Sequence, residues 1–259
     1  RVGFVCHDPA AADAAAAQIV EAARLPGLTA EGIFTHFATA DAAPDDPFTT
    51  RQFALFTAVI EAAEKQGAHF AIRHCCNSAA TLLHPEMHLD MVRPGIILYG
   101  LTPDDWMEPH MGALRPVMEL KTTVSQVKEL SPGDVISYGS TATVDKPTTV
   151  ATVPIGYADG YGRVLSNRAC MLVNGRRVPV LGRVCMDQCM LDVTGIPDVK
   201  AGTEVTVFGE SDGACLPVGE ISRLMGTINY ETVCLVNRRV PRVYCVAGEP
   251  VGTVDYLLK

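Results

Sequence analysis

His36, Asn77-Ser78 and Arg93 are the residues of the first half whose types and places could do chemistry. Each follows an apolar stretch of strand character. His36 ends Gly32–Thr35, Asn77-Ser78 follows the run through His74 and opens a helix, and Arg93 ends Leu89–Val92 with Gly95-Ile96 just behind it. In parallel βα folds, ligand groups are held at the carboxyl ends of strands. A serine at a helix start, beside N–H groups with no helical partner, can cradle a phosphate; it can equally be an ordinary N-cap. A strand-end histidine is a titrating group or a packed ring. Arg93, set before Pro94, is a ligand group or a surface ion pair. The second half has polar points of its own: Ser137-Tyr138-Gly139 after an apolar approach, Tyr157 in a turn within Pro154–Gly160, Asp187 in an apolar strand around Arg183–Gln188, and Ile228-Asn229-Tyr230-Glu231 after a short helix. A tyrosine in a turn is commonly an amphipathic packing residue.

The elements that must position these residues follow from periodicity. Pro9–Leu25 is Ala-rich with Ile19, Val20 and Ala23 on one face, and Thr49–Gln66 repeats apolar residues at helical spacing, so both are expected as helices. Gly32–Phe37 and His69–Ile72 read as strands, Ser78–Leu83 as a short helix, and Met91-Val92 and Ile96–Tyr99 as further β-type segments. Alternating β and α units imply a parallel sheet with helices outside. The second half is β-rich: Val117–Val127 alternates, Val150–Ile155 and Glu204–Phe208 read as strands, Asn174-Gly175 marks a hairpin, Val218–Met225 a short helix, and Val240–Val246 a closing strand. The expected division is a βα domain over 1–112 and a β domain over 113–259. An array of 112 residues is too short to close an eight-stranded barrel, which takes roughly 250.

Composition excludes several classes. The 259 residues carry 21 Lys+Arg against 29 Asp+Glu, a net charge of −8, which argues against a nucleic-acid backbone binder. Apolar stretches such as Ala10–Ala17 are too short for a bilayer, and no leader pattern opens the chain, so a cytoplasmic protein is expected. The nine cysteines form no CxxC pair and read as buried reduced thiols; neither His nor Cys shows finger or HExxH spacing, so no metal is expected.

Together the polar segments carry more than each alone. In order and spacing, Thr35–Asp41, His74–Ala80, Met91–Ile96, Ser137–Gly139, Ile155–Gly160, Gly182–Asp187 and Ile228–Glu231 resemble the alanine racemase family of pyridoxal-phosphate enzymes, over essentially the whole chain. The resemblance implies the C-terminal part of a (β/α)8 barrel followed by a mainly β domain. It implies pyridoxal 5'-phosphate as cofactor, alanine as substrate and a head-to-tail homodimer. Residue roles come with it. Ser78, the Gly95 and Ile96 backbone and Tyr230 look like the cofactor phosphate site, with Asn77 beside it. Arg93 looks like the partner of the pyridine nitrogen, and His36 like the residue behind the ring near Arg93. Arg1 matches an arginine that contacts the cofactor phenol oxygen and the substrate carboxylate. Tyr138 looks like a catalytic base supplied across the dimer; Tyr157, Met186 and Asp187 look like substrate-side residues, and Asp41, Arg163, Arg183 and Ile228 like a substrate corridor. The implied reaction interconverts L- and D-alanine with two bases on opposite faces of Cα, supplying D-alanine for peptidoglycan. Two rings, Tyr157 and Tyr230, would leave a small pocket that favours alanine; a serine racemase on the same scaffold is the alternative.

One departure stands out. The family's Schiff-base lysine lies in a Val-Lys-Ala-Asp-Ala-Tyr-Gly segment, and none of Lys65, Lys121, Lys128, Lys146, Lys200 and Lys259 has that context. The expectation is therefore a chain lacking the N-terminal segment. Such a chain would be a piece of a longer polypeptide, a partner of its own separate N-terminal piece, or an inactive remnant that serves only for binding or dimerisation.

Overall fold

The computed structural model describes residues 3–43, 45–104, 106–107 and 114–258. Two compact units result, Arg1–Arg115 and Pro116–Lys259. The boundary expected at residue 112 lies outside the described residues, as does Arg1.

The first unit runs α1 (Ala12–Ala23), β1 (Gly32–Phe34), α2 (Pro47–Lys65), β2 (Ile72–His74) and α3 (Ser78–Leu83). Helix α1 buries Ala12, Ala15, Ala16, Ile19 and Val20, one stripe at three- and four-residue steps. Small alanines let it pack closely on Val59, Ala62 and Ala63 of α2. Asp46 starts α2: its carboxylate accepts the Thr49 N–H at 2.9 Å, and Pro47 stands at the first helical position, where its missing N–H costs nothing. Strands β1 and β2 pair in parallel, with Gly32 opposite Ile72 and Phe34 opposite His74. A Cβ at residue 32 would lie 2.6 Å from the Ile72 carbonyl oxygen, so this crossing needs glycine. A second cluster, with Phe37, Phe56, Ile60, Cys75, Cys76 and Met87 buried, lies beneath the strand ends.

Two expectations shift here. The strand expected at His69–Ile72 is Ile72–His74, because pairing with β1 sets its register while Phe70 turns into the α1–α2 cluster. Ile96–Tyr99 is a 3-10 turn rather than a strand, closed by Gly100 in the left-handed region at φ 70°. β-branched residues favour a strand only where a neighbour is there to pair with.

The second unit is a β domain. Its strands are β3 (Leu120–Thr123), β4 (Gln126–Leu130), β5 (Val135–Ile136), β6 (Ala142–Thr143), β7 (Thr148–Val153), β8 (Cys170–Val173), β9 (Arg176–Leu181), β10 (Cys189–Asp192), β11 (Glu204–Ser211) and β12 (Ala214–Leu216). Helices α4 (Val218–Met225) and α5 (Asn229–Leu235) follow, then the hairpin β13 (Arg242–Val246) and β14 (Glu249–Val254). The main sheet is antiparallel in the order β12-β11-β8-β9-β10-β7-β4, with β3 also on β11. Asn174 and Gly175 join β8 to β9 with φ of 48° and 69°, as a tight hairpin turn requires. The single strand expected over Val117–Val127 is two, since β3 pairs with β11 and β4 with β7. Ile228–Glu231 turns into α5, and Asp187 stands in the bend between β9 and β10, not in a strand. Of the nine cysteines, only Cys75, Cys76 and Cys189 are fully buried.

Among the described residues, no helix is long and apolar enough to cross a membrane, and no group of three or more His, Cys, Asp or Glu is placed to hold a metal ion.

Helix α4 is tied to β9 by Glu220, whose carboxylate meets the Arg177 guanidinium at 2.7 Å. That hydrogen bond holds the Glu220 carboxyl below its ordinary value of 4.5. The folded state thus binds the Glu220 proton more weakly than the unfolded chain does. Its stabilisation is complete above pH 4.5 and fades as pH falls through the lowered folded value. Glu220→Gln should cost about 1 kcal/mol near neutral pH and progressively less below pH 4.5. Urea midpoints of the two proteins between pH 6 and pH 3 measure this.

Candidate active site

In the first unit the site forms where β1 and β2 stop pairing. Phe34 and His74, the last residues of the two strands, stack with ring centroids 5.2 Å apart and planes 2° from parallel. The Arg93 guanidinium lies 5.6 Å from the Phe34 ring centre. One of its terminal nitrogens donates to His74 Nδ1. The other donates to His36 Nδ1 at 3.1 Å, to the Thr35 carbonyl at 3.0 Å and to the Cys75 carbonyl at 3.1 Å. A guanidinium has donors only. Both rings thus turn their Nδ1 toward the Arg93 guanidinium. The Arg93 N–H is bound as well, to the Cys76 carbonyl at 3.0 Å.

Ser78 is buried at the start of α3, and its hydroxyl oxygen accepts the Gly95 N–H at 2.8 Å. Asn77 is the N-cap of α3: its side-chain oxygen accepts the Ala80 N–H at 3.1 Å. So Asn77 does the capping, and Ser78 instead joins α3 to the 3-10 turn that begins at Ile96. Cys75 and Cys76 lie fully buried between His74 and Asn77, and both thiols donate to the Met87 carbonyl at 3.2 Å. Hydrogen bonding to Cys76, then burial, holds the Cys75 thiol well above its ordinary range. A groove of about 1100 Å³ in this unit touches His36 but is lined mainly by α1, β1, α2 and the segment Gly3–His7, away from Arg93 and Ser78.

In the second unit three motifs form one cluster. Ser137 has φ 66°, a conformation rare outside glycine. Its hydroxyl donates to the Arg183 carbonyl at 2.7 Å, and Tyr138 beside it is 72% exposed. Gly139, at φ 71°, leaves room for the Arg183 guanidinium, which a Cβ there would approach to 3.2 Å. Tyr157 and Ala158 donate their N–H groups to the Cys185 and Met186 carbonyls, each at 3.0 Å. A Cβ on Gly156 would lie 2.2 Å from the Cys185 oxygen, and one on Gly160 would lie 2.3 Å from the Leu235 oxygen. The two glycines of Ile155–Gly160 are thus spacing requirements. The buried Asp159 carboxylate accepts the Gly156 N–H at 2.8 Å and the Arg239 Nε–H at 2.6 Å. The same Arg239 head donates to the exposed carboxylate of Asp187. These two hydrogen bonds hold the Arg239 guanidinium above its ordinary value.

The expected residues thus gather in two groups, His36 with Arg93, Ser78 and Gly95 in the first unit, and Tyr138, Tyr157, Met186 and Asp187 in the second. Tyr230 sits half-buried on α5. Of the expected corridor residues, Asp41 accepts the Trp106 indole N–H on its main-chain oxygen at 2.6 Å, while Ile228 is exposed. Three residues went unread from the sequence. His74 lies inside a quoted motif but carries no signal of its own. Gln52 projects from α2 and donates to Thr35 Oγ1 at 2.9 Å and the His36 carbonyl at 2.8 Å, while accepting the Ala38 N–H at 3.2 Å. Arg239 is one of many basic residues in the second half, and only its two carboxylate partners mark it.

Residues 1–103 match the family model described as alanine racemase, N-terminal domain, and residues 117–244 match alanine racemase, C-terminal domain. Curated relatives include the alanine racemases of Desulforamulus reducens, 50% identical over 94% of this chain and 64% of theirs, and of Desulfovibrio desulfuricans, 54% identical over 86% of this chain and 58% of theirs. Among solved structures, the alanine racemase of Clostridium difficile 630 superposes with a TM-score of 0.89 at 40% identity, covering 100% of this chain and 65% of that one. The Bacillus anthracis alanine racemase, solved with bound L-Ala-P, gives 0.88 at 36% identity over 99% of this chain and 64% of that one. The chain spans roughly three-fifths of the length of the relatives it matches. The fold class expected, a barrel-type domain followed by a β domain, is that of these neighbours. With both domain models matched in order and at these identities, the chain belongs to the alanine racemase family.

Proposed function

We propose that the protein is an alanine racemase, interconverting L- and D-alanine with two bases and pyridoxal 5'-phosphate, in the cytoplasm, as a head-to-tail homodimer supplying D-alanine for peptidoglycan. Residues 1–112 serve as its cofactor domain and 113–259 as its β domain. One observation carries the reading above the others: Arg93 is held by two imidazoles and two main-chain carbonyls at the strand ends.

The residues fit the cofactor. The Ser78 hydroxyl and the N–H groups that open the 3-10 turn after Gly95 are uncharged donors ahead of that turn's own hydrogen bonds, a set suited to a phosphate. These groups, with Tyr230, would hold the phosphate, Asn77 would lie beside it, and Arg93 would meet the ring nitrogen. Arg1 would meet the phenol oxygen and the substrate carboxylate. When bound, the cofactor supplies an electron sink for the carbanion at Cα.

The chain's own groups do the rest. Arg93 cannot release a proton, so toward the ring nitrogen it would act only as a donor and disfavour protonation there. His36 and His74 keep it aimed. The Tyr138 hydroxyl would take or return the proton on one face of Cα. Tyr157, Met186 and Asp187 bind and orient the substrate. Tyr157 and Tyr230 together would leave a small pocket, favouring alanine over serine.

The full-length protein loaded with cofactor should convert L-alanine to D-alanine, read by a D-specific coupled assay. A cofactor-loaded protein that leaves L-alanine unchanged overturns the proposal, and faster turnover of serine overturns the substrate assignment. Tyr138→Phe should lower the rate on the order of 10²- to 10⁴-fold. Its melting temperature should stay unchanged, because Tyr138 is exposed. Arg93→Glu should release more pyruvate from alanine by transamination per racemisation event. An unchanged ratio would remove arginine's role in reaction choice.

A further inference from the structure

We propose that Arg239 is a positioning residue of the substrate side, one guanidinium that sets both the turn carrying Tyr157 and the bend carrying Met186-Asp187. The inference rests on the racemase reading above and adds to it a residue with no place in the motifs.

Three observations lead to it. First, the two loops are already fixed in separation. The Tyr157 and Ala158 N–H groups bind the Cys185 and Met186 carbonyls, and Gly156 has no space for a side chain. Main-chain bonds of this kind set a distance; the Asp159 carboxylate is held by the Gly156 N–H of its own turn, while the Asp187 carboxylate is left undirected. Second, those carboxylates, Asp159 and Asp187, meet a single cation. Arg239 Nε donates to Asp159 at 2.6 Å, and Arg239 Nη2 donates to Asp187. Asp159 is 7% exposed and must be paired, whereas the Asp187 side chain is 59% exposed and gains direction from the pair rather than shelter. Third, Arg239 is itself anchored to the loop it serves. Its N–H donates to Asn237 Oδ1 at 3.1 Å, and the Asn237 N–H donates to the Asp159 carbonyl at 3.0 Å. The cation therefore moves with the Asp159 turn and carries Asp187 with it.

The residue type matters. Serving two carboxylates from separate nitrogens needs the planar fork of arginine; an ammonium at the end of a lysine can satisfy the buried partner but cannot hold both in fixed directions. Arg239→Lys should therefore keep Asp159 paired and the domain folded while freeing Asp187. Arg239→Ala would leave a buried carboxylate alone and is the variant that could fail to fold.

The test uses the full-length, cofactor-loaded protein with Arg239→Lys, Asp187→Asn and the double variant. Each single change should lower kcat/KM for alanine on the order of 10- to 100-fold without loss of bound cofactor. The double variant should be no worse than the weaker single, because both changes break one connection. Amide exchange at Tyr157 and Ala158 should quicken in Arg239→Lys by roughly tenfold or more, with melting nearly unchanged. Unchanged kinetics and unchanged exchange in Arg239→Lys overturn the proposal, as do losses that multiply in the double variant. If the wild-type protein does not racemise alanine, the functional reading fails, and amide exchange alone decides whether Arg239 holds the two loops.

Discussion

Wherever a strand stops pairing, its main-chain carbonyls and N–H groups still need partners, and this requirement organises both halves of the molecule. Thr35 and Cys75 stand one residue beyond β1 and β2, and neither carbonyl is placed to continue the two-strand ladder. Arg93 satisfies both with one nitrogen. Gln52 treats the next stretch in the same way, taking up the His36 carbonyl and the Ala38 N–H from the helix behind. The groups that chemistry requires at a strand end are thus the groups that finish the strand. Arg93 has a structural duty that holds it still, and its direction is set before any ligand arrives.

The β domain meets the same requirement by other means. Its loops satisfy each other, main chain to main chain, at Tyr157–Cys185 and Ala158–Met186. This works only if the backbones come very close, hence glycine at 156; Gly160 meets the Leu235 carbonyl in the same way, and Gly182 at φ 73° has no room beside Ser137 and Ile136. The side chains carried by these loops, Tyr138, Tyr157 and Met186, are then left exposed on a backbone that cannot shift easily. A phenol or a thioether on such a frame can be presented to a small molecule without an ordering cost at the moment of binding.

Much of this could be read in the residues. Helices α1 and α2 announce themselves by apolar spacing, and the Asn174-Gly175 turn by chemistry that only a tight hairpin needs. The site motifs could be read only together, as a family resemblance, since each alone is compatible with a cap, an ion pair or a packed ring. What escaped was decided by long-range pairing. The true extent of β2 depends on its register with β1, the division of β3 from β4 on which strand each one meets, and the 3-10 turn at Ile96–Tyr99 on the absence of a strand to join. Gln52, His74 and Arg239 escaped for the same reason. Each matters through partners 14 or more residues away, and none of those distances leaves a trace in local composition.

The two solutions differ in what they tolerate. In the first unit, side chains complete the strand ends, so a change at Gln52 or Arg93 removes hydrogen bonds but leaves the path of the chain intact, carried by the buried cluster beneath it. In the second unit the chain path itself forms the candidate site. A single methyl at Gly156 would meet the Cys185 and Met186 carbonyls at 2.2 and 2.4 Å, and the only relief is to separate the two loops. Separation would also pull Asp187 from Arg239, which stays with the Asp159 turn through Asn237. Sequence freedom is therefore narrowest where the backbone does the positioning, which is why the glycines of the β domain, and not only its tyrosines, carry the signature of the site.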